Sequence, residues 1–214
     1  MANPFDIKQP ESRIVYDKEL YGAVSSAVLQ TPFSVNTPGS GIFRLFHQTS
    51  NCFMELTLDG NIVINDRQMT DNTSYGGSGV WDISWRRSCK IRARHAGGVD
   101  NLYLVGSYQD RRTDGRRIPD KELYFTTSSA TLVTAKELSG AGEIQFQIIN
   151  EILAATYMQV TVDGNVIVTD REIISGTLGG TSGVFRYPFD RSFKLEVREA
   201  GASNAIVSGF YWNR

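Results

Sequence analysis

Met54-Glu55-Leu56-Thr57-Leu58-Asp59-Gly60-Asn61-Ile62-Val63-Ile64 decides the fold, because Met158-Gln159-Val160-Thr161-Val162-Asp163-Gly164-Asn165-Val166-Ile167-Val168 repeats its pattern. Residues that favour strands flank Asp-Gly in both stretches. A type I′ turn needs positive φ at both central positions, which Asp-Gly tolerates, so each stretch predicts a β-hairpin with a two-residue loop. With Asp59-Gly60 as the loop, Leu58 pairs with Asn61 and Leu56 with Val63. That register puts Met54, Leu56, Leu58 and Val63 on one apolar face.

Working outward, further matches keep the same order. Asp17-Lys18-Glu19-Leu20-Tyr21 returns as Asp120-Lys121-Glu122-Leu123-Tyr124, and Ser78-Gly79-Val80 as Ser182-Gly183-Val184. Arg87-Ser88 matches Arg191-Ser192, and Ala96-Gly97 matches Ala200-Gly201. A unit of about a hundred residues in tandem is an ordinary small domain, copied once. Its strands alternate: Trp81, Ile83 and Trp85 share a face, as do Phe185, Tyr187 and Phe189, while Cys89, Ile91 and Ala93 alternate with Lys90, Arg92 and Arg94. Ile148 to Thr156 suits a strand as well as a turn or two of helix. The sequence therefore predicts an all-β chain of two tandem duplicated antiparallel β-sandwich domains, jelly-roll-like in character. The boundaries fall at 1–16 for an N-terminal arm, 17–109 for the first sandwich, 110–119 for an arginine-rich linker and 120–214 for the second sandwich.

At 214 residues the chain has room for two modest cores, and a net charge of -1 gives no global basic field for nucleic acid or an anionic membrane. No apolar run approaches the roughly 20 residues that span a bilayer, and the first residues lack a signal peptide's apolar core, so neither a membrane nor Sec-dependent secretion is expected. Both cysteines, Cys52 and Cys89, lie in the first copy, opposite Thr156 and Phe193. A staple required by the fold would not be missing from its duplicate, so free thiols are expected.

Chemistry has no visible seat. His47 and His95 are the two histidines, with Ile148 and Glu199 at their places in the second copy by local alignment, and no nucleophile-elbow serine, Cys-x-x-Cys pair or His-Glu-x-x-His helix occurs. Asp59 and Asp163 offer hard oxygens of the kind calcium takes, but their loop position already accounts for them as turn residues. Asp66-Arg67 and Asp170-Arg171 suggest structural ion pairs. The glycine-rich stretches Tyr75 to Gly79 and Leu178 to Gly183 lack a phosphate loop's lysine and helix, and read as turns. No catalytic residue, cofactor site or metal site is expected.

Short N-terminal arm, tandem β-sandwiches, Asp-Gly-Asn hairpins and no signal peptide: in this general plan the chain resembles accessory virion proteins of tailed bacteriophages. The resemblance implies a non-enzymatic role in decorating or joining a capsid, neck or tail. It also implies several copies as a homo- or hetero-oligomer with other virion proteins, and a virion location after synthesis in the host cytoplasm. Parts without a counterpart in the other copy are the expected partner contacts: Phe5 and Ile7 in the arm, Tyr75, the linker residues Arg111, Arg112, Arg116 and Arg117, and Trp212. The alternative is a carbohydrate-binding or adhesion module that stacks a glycan on Tyr75 or Trp212.

Overall fold

The computed structural model describes residues 18–47, 51–70, 77–96, 101–110, 119, 121–150, 155–174, 180–201 and 204–213. Among them every element is a strand. The first half runs β1 (Lys18–Val24), β2 (Gln30–Val35), β3 (Gly39–His47), β4 (Cys52–Leu58), β5 (Asn61–Gln68), β6 (Trp81–Trp85), β7 (Cys89–His95) and β8 (Leu102–Gln109). The second runs β9 (Lys121–Thr127), β10 (Val133–Ser139), β11 (Gly142–Asn150), β12 (Thr156–Val162), β13 (Asn165–Ile174), β14 (Gly180–Phe189), β15 (Ser192–Glu199) and β16 (Ala205–Asn213).

The first half forms sheets of order β1-β8-β3-β6 and β2-β7-β4-β5, and the second forms β9-β16-β11-β14 and β10-β15-β12-β13. Adding eight to each strand number turns one set into the other. All pairings are antiparallel. The all-β chain of two tandem sandwiches read from the sequence is thus the observed fold; of the stretch Ile148 to Thr156, Ile148 to Asn150 end β11 and Thr156 begins β12, while 151–154 lie outside the described residues.

The hairpins have the conformation their loops require, with φ of 54° and 90° at Asp59 and Gly60 and 53° and 86° at Asp163 and Gly164. Leu58 pairs with Asn61 as expected, but Leu56 pairs with Ile64 rather than Val63. A bulge accounts for the slip: Thr57 pairs with Ile62, leaving Val63 as an extra residue, and the second half repeats this with Thr161 to Val166 and Val160 to Val168. A further irregularity centres on Asp66 and Asp170, which adopt φ of 48° and 36°.

Inward-facing positions build two cores. Leu20, Phe43, Met54, Leu56, Trp81 and Ile91 are among the buried residues of the first, and Phe146, Met158, Phe193, Leu195, Val197 and Val207 of the second. The division is not clean, because Phe210 and Trp212 of β16 belong to the first cluster. They point away from their own sandwich, since alternation along β16 sends Val207 and Tyr211 to the second core instead.

Candidate functional site

Asp59 and Asp163 do more than shape their hairpins. The Asp59 carboxylate accepts hydrogen bonds from the backbone N–H groups of Arg86 (3.0 Å), Arg87 (2.6 Å) and Ser88 (3.1 Å), the turn joining β6 to β7. Asp163 takes the same bonds from Asp190 (3.0 Å), Arg191 (2.6 Å) and Ser192 (3.0 Å). Backbone bonds from Ser192, Arg191 and Asp190, with the Arg191 charge adding to them, hold the Asp163 carboxyl below the ordinary carboxylate range. Three successive N–H groups make an anion cradle, and the protein's own carboxylate fills it.

The two arginines of the basic strand face are similarly committed. Arg92 pairs with Glu55 at 2.9 Å and Arg94 with Asp66 at 2.9 Å, Arg94 also lying 4.0 Å over the Phe53 ring. The second half repeats the latter arrangement: Arg198 meets Asp170 at 2.7 Å and lies 3.7 Å over Tyr157. The recurring Asp66 and Asp170 therefore pair across the intervening strand, β4 or β12, rather than with the arginines that follow them in sequence. Arg67 goes elsewhere, to Glu122 of the second half at 2.8 Å.

A buried polar group closes one end of each sandwich. Asn150 Nδ2 donates to Thr156 Oγ1 (2.8 Å) and Glu199 Oε2 (3.2 Å), and the Thr156 hydroxyl donates to the same carboxylate oxygen (2.9 Å). His47, Cys52 and His95 occupy the corresponding places in the first half. Strand register fixes this: Cys52 lies across from His95 as Thr156 does from Glu199, and His47 from Leu102 as Asn150 does from Ala205. The counterpart of His47 is thus Asn150, two positions on from the Ile148 of the local alignment. All six side chains are buried. Burial pushes the Cys52 thiol up to about 12 and outweighs the lowering by its Thr70 hydrogen bond. Among the described residues no three His, Cys, Asp or Glu side chains are placed to share a metal ion.

The joint between the halves is the most elaborate constellation. The outward face of the β9-β16-β11-β14 sheet covers the side of the first sandwich where the edge strands β5 and β6 leave an opening. Phe210 reaches Trp81 with ring centroids 5.5 Å apart. Around it, Gln147 donates to the Met69 carbonyl (2.9 Å) and accepts from Gly79 N–H (3.1 Å), and Thr181 donates to the Gly77 carbonyl (2.9 Å). At one margin Arg67 is clasped between Glu122 and the Tyr124 ring, 4.0 Å from its guanidinium. At the other, Arg186 approaches Asp82 at 3.4 Å. The backbones come so near that a Cβ on Gly79 would sit 2.5 Å from Val184, so only glycine fits there.

Of the expected contact residues, Trp212 is 8% exposed in this joint. Its ring is used inside the chain, because β16 turns that face toward the first sandwich. Phe5, Ile7, Tyr75, Arg111, Arg112, Arg116 and Arg117 lie outside the described residues. Sequence reading missed Gln147, Arg67 and Glu122 as a joint, although the unequal Phe210 and Ser107 at equivalent strand positions carried a signal of it.

No family model matches the chain, and no curated protein matches its sequence. Among solved structures, the STIV MCP aligns with a TM-score of 0.45 at 8% identity, covering 92% of this chain and 97% of that one. The major capsid protein P2 from bacteriophage PM2 aligns with a TM-score of 0.46 at 9% identity, covering 92% and 98%. The PBSX exported protein XepA aligns at 0.28 and 9% identity, covering 91% and 86%.

Proposed function

We propose that this chain is a non-enzymatic structural protein of a virion, one that decorates or joins a capsid, neck or tail by binding other virion proteins. The observation carrying this reading is where polar and apolar groups are spent. Carboxylates and guanidinium groups with the geometry for chemistry are engaged in holding loops and strands, as in the cradles of Asp59 and Asp163. Apolar side chains, in contrast, remain at the surface, among them a group on the outside of one sheet. Tyr21 and Val80 are each 55% exposed, and with the half-buried Ile42, Phe46, Tyr103 and Val105 they surround the exposed Arg44 on the outer face of the β1-β8-β3-β6 sheet. Tyr103 lies 6.5 Å from the Tyr21 ring and 5.8 Å from Phe46, so these three rings adjoin one another. Contiguous exposed apolar surface of this kind is characteristic of interaction sites.

The arm and linker extend the same reading. Phe5 and Ile7 supply apolar anchors on a segment that orders against a partner, and Arg111, Arg112, Arg116 and Arg117 supply forked hydrogen bonds to carboxylates. Peptide mass spectrometry of gradient-purified particles tests the proposal, with the chain expected at fixed stoichiometry and a chain lacking residues 2–15 expected at reduced occupancy. A chain found only free in the lysate, or one that turns over a substrate after purification, would overturn it.

A further inference from the structure

The joint between the two halves uses one surface from each, and each half possesses both surfaces. The second half contributes the outer face of its β9-β16-β11-β14 sheet. The first contributes the opening between β5 and β6. What remains unused is the outer face of the first half's β1-β8-β3-β6 sheet and the opening between β13 and β14 of the second.

That second opening is a half-open groove of about 370 Å³, lined by Val168, Arg171, Glu172, Ile173, Phe185 and Tyr187 with Met158 at its base. Its lining is the counterpart of what the joint covers in the first half. Val63, Ile64, Met69 and Trp81 are each 0% exposed there, whereas Ile167, at the position of Val63, is 51% exposed, and Val168, Ile173 and Phe185 are only half-buried. The same residue class occurs at matched positions. Only the cover is missing.

The clasp at the margin of the joint is repeated too. Arg67 is held by Glu122 and Tyr124; its counterpart Arg171 is exposed and has no ion-pair partner among the described residues. Glu19-Leu20-Tyr21 repeats Glu122-Leu123-Tyr124 on the equivalent strand, with Glu19 exposed and Tyr21 55% exposed. The free face departs from the used one at several positions. Arg44, exposed in the middle of β3, stands where Gln147 does. Phe210 and Trp212 have Ser107 and Gln109 as counterparts, and the apolar bulk of β8 sits instead at Tyr103 and Val105, counterparts of Ile206 and Ser208.

We propose that a second copy of this chain is the occupant of both free surfaces: the outer face of the first sandwich of one copy docks on the β13–β14 opening of the next. Arg171 of one copy then engages Glu19 and Tyr21 of its neighbour as Arg67 engages Glu122 and Tyr124 within the chain. Because the two surfaces differ, the contact is head-to-tail, and it generates a closed ring if the rotation between copies closes and a filament if it does not. The inference rests on the assembly reading above and names its partner, but it fails separately from it.

Sedimentation velocity of the purified full chain over a concentration series is the test. Self-association is expected, with Arg171→Glu and Glu19→Arg each weakening it on the order of tenfold or more, and the two combined in one chain restoring it. Both sites are exposed in the lone chain, so the variants should melt like wild type. Ile167→Asp, at another exposed position of the opening, should dissociate the assembly independently. A wild-type chain that stays monomeric at all concentrations overturns the proposal, as do assemblies indifferent to all three substitutions or a combined variant that stays dissociated. A monomer that nonetheless enters particles would overturn self-docking alone and leave the assembly reading intact.

Discussion

Cys89 stands where the second half has Phe193, and alternation along its strand had already put it inward; the structure leaves it 0% exposed and without a disulfide. The lost volume has an evident counterpart. In the second half Phe189 and Phe193 pack with centroids 5.9 Å apart, and the first half sets the larger indole of Trp85 at the position of Phe189 beside the small thiol. Burial, with the Asp59 charge adding to it, drives the Cys89 thiol well above its ordinary 9.0. A folded pKa above the unfolded one stabilises fully below about pH 9, and this stability is lost as pH rises beyond it, by about 1.4 kcal/mol per pH unit for each such thiol. Urea unfolding of wild type and Cys89→Val between about pH 8 and pH 10 should therefore show a steeper decline for wild type, and native Cys89 should react with thiol reagents only after unfolding. Equal slopes, or rapid labelling of the folded protein, would contradict the assignment. Such a residue is legible from sequence because burial along a strand follows a two-residue period. The buried polar group at the sandwich end was not, since Asn150, Thr156 and Glu199 meet only when three separate strands are in register.

Among the elements, the hairpins were read correctly for a local reason and incompletely for a non-local one. Asp-Gly dictates its own turn, so Asp59 and Asp163 were identifiable as loop residues from their neighbours alone. Their carboxylates, however, organise the β6–β7 and β14–β15 turns, which lie far away in sequence and were visible only as the matching Arg-Ser pairs at 87–88 and 191–192. The bulge at Val63 escaped for a different reason: strict alternation assigns one face per residue, whereas Val63 and Ile64 are both buried, β5 also meeting β9 and β16 of the second half. Asp163→Asn keeps the side chain's shape but removes the charge that three N–H groups converge on. Its melting temperature should fall by several degrees at neutral pH. The Asp163 pKa is lowered from 3.8, so its contribution is present above that pH and disappears as the pH falls through the folded value. The gap between wild type and Asp163→Asn should accordingly narrow on acidification from about pH 5 to pH 2, followed by circular dichroism. A gap independent of pH would mean that the carboxylate charge is not what holds the turn.

At the scale of the whole molecule, the duplication predicted two equivalent sandwiches, and their strand orders are indeed the same, yet their surroundings are not. An internal repeat encodes the framework of each half, while the joint depends on positions where the copies differ, such as Phe210 against Ser107. Pattern matching finds what is shared and passes over what is individual, so the joint stayed hidden and Trp212 looked like a surface aromatic. The joint makes the first half dependent on the second: without Phe210 and Trp212, the apolar lining of Val63, Met69 and Trp81 would face water. Phe210→Ala should cost about 3–5 kcal/mol, the usual range for truncating a buried phenylalanine. The loss should fall on the first half, because Phe210 packs in that cluster and not in the second. The three tryptophans allow this to be seen directly, since Trp81 and Trp85 lie in the first core and Trp212 in the joint, leaving the second core with none. In Phe210→Ala, tryptophan fluorescence should change at a lower temperature than the bulk of the far-ultraviolet signal, the second sandwich melting later on its own. Coincident transitions shifted together would show that the halves stand or fall as one cooperative unit, and that the opening between β5 and β6 is sealed by more of the joint than this ring.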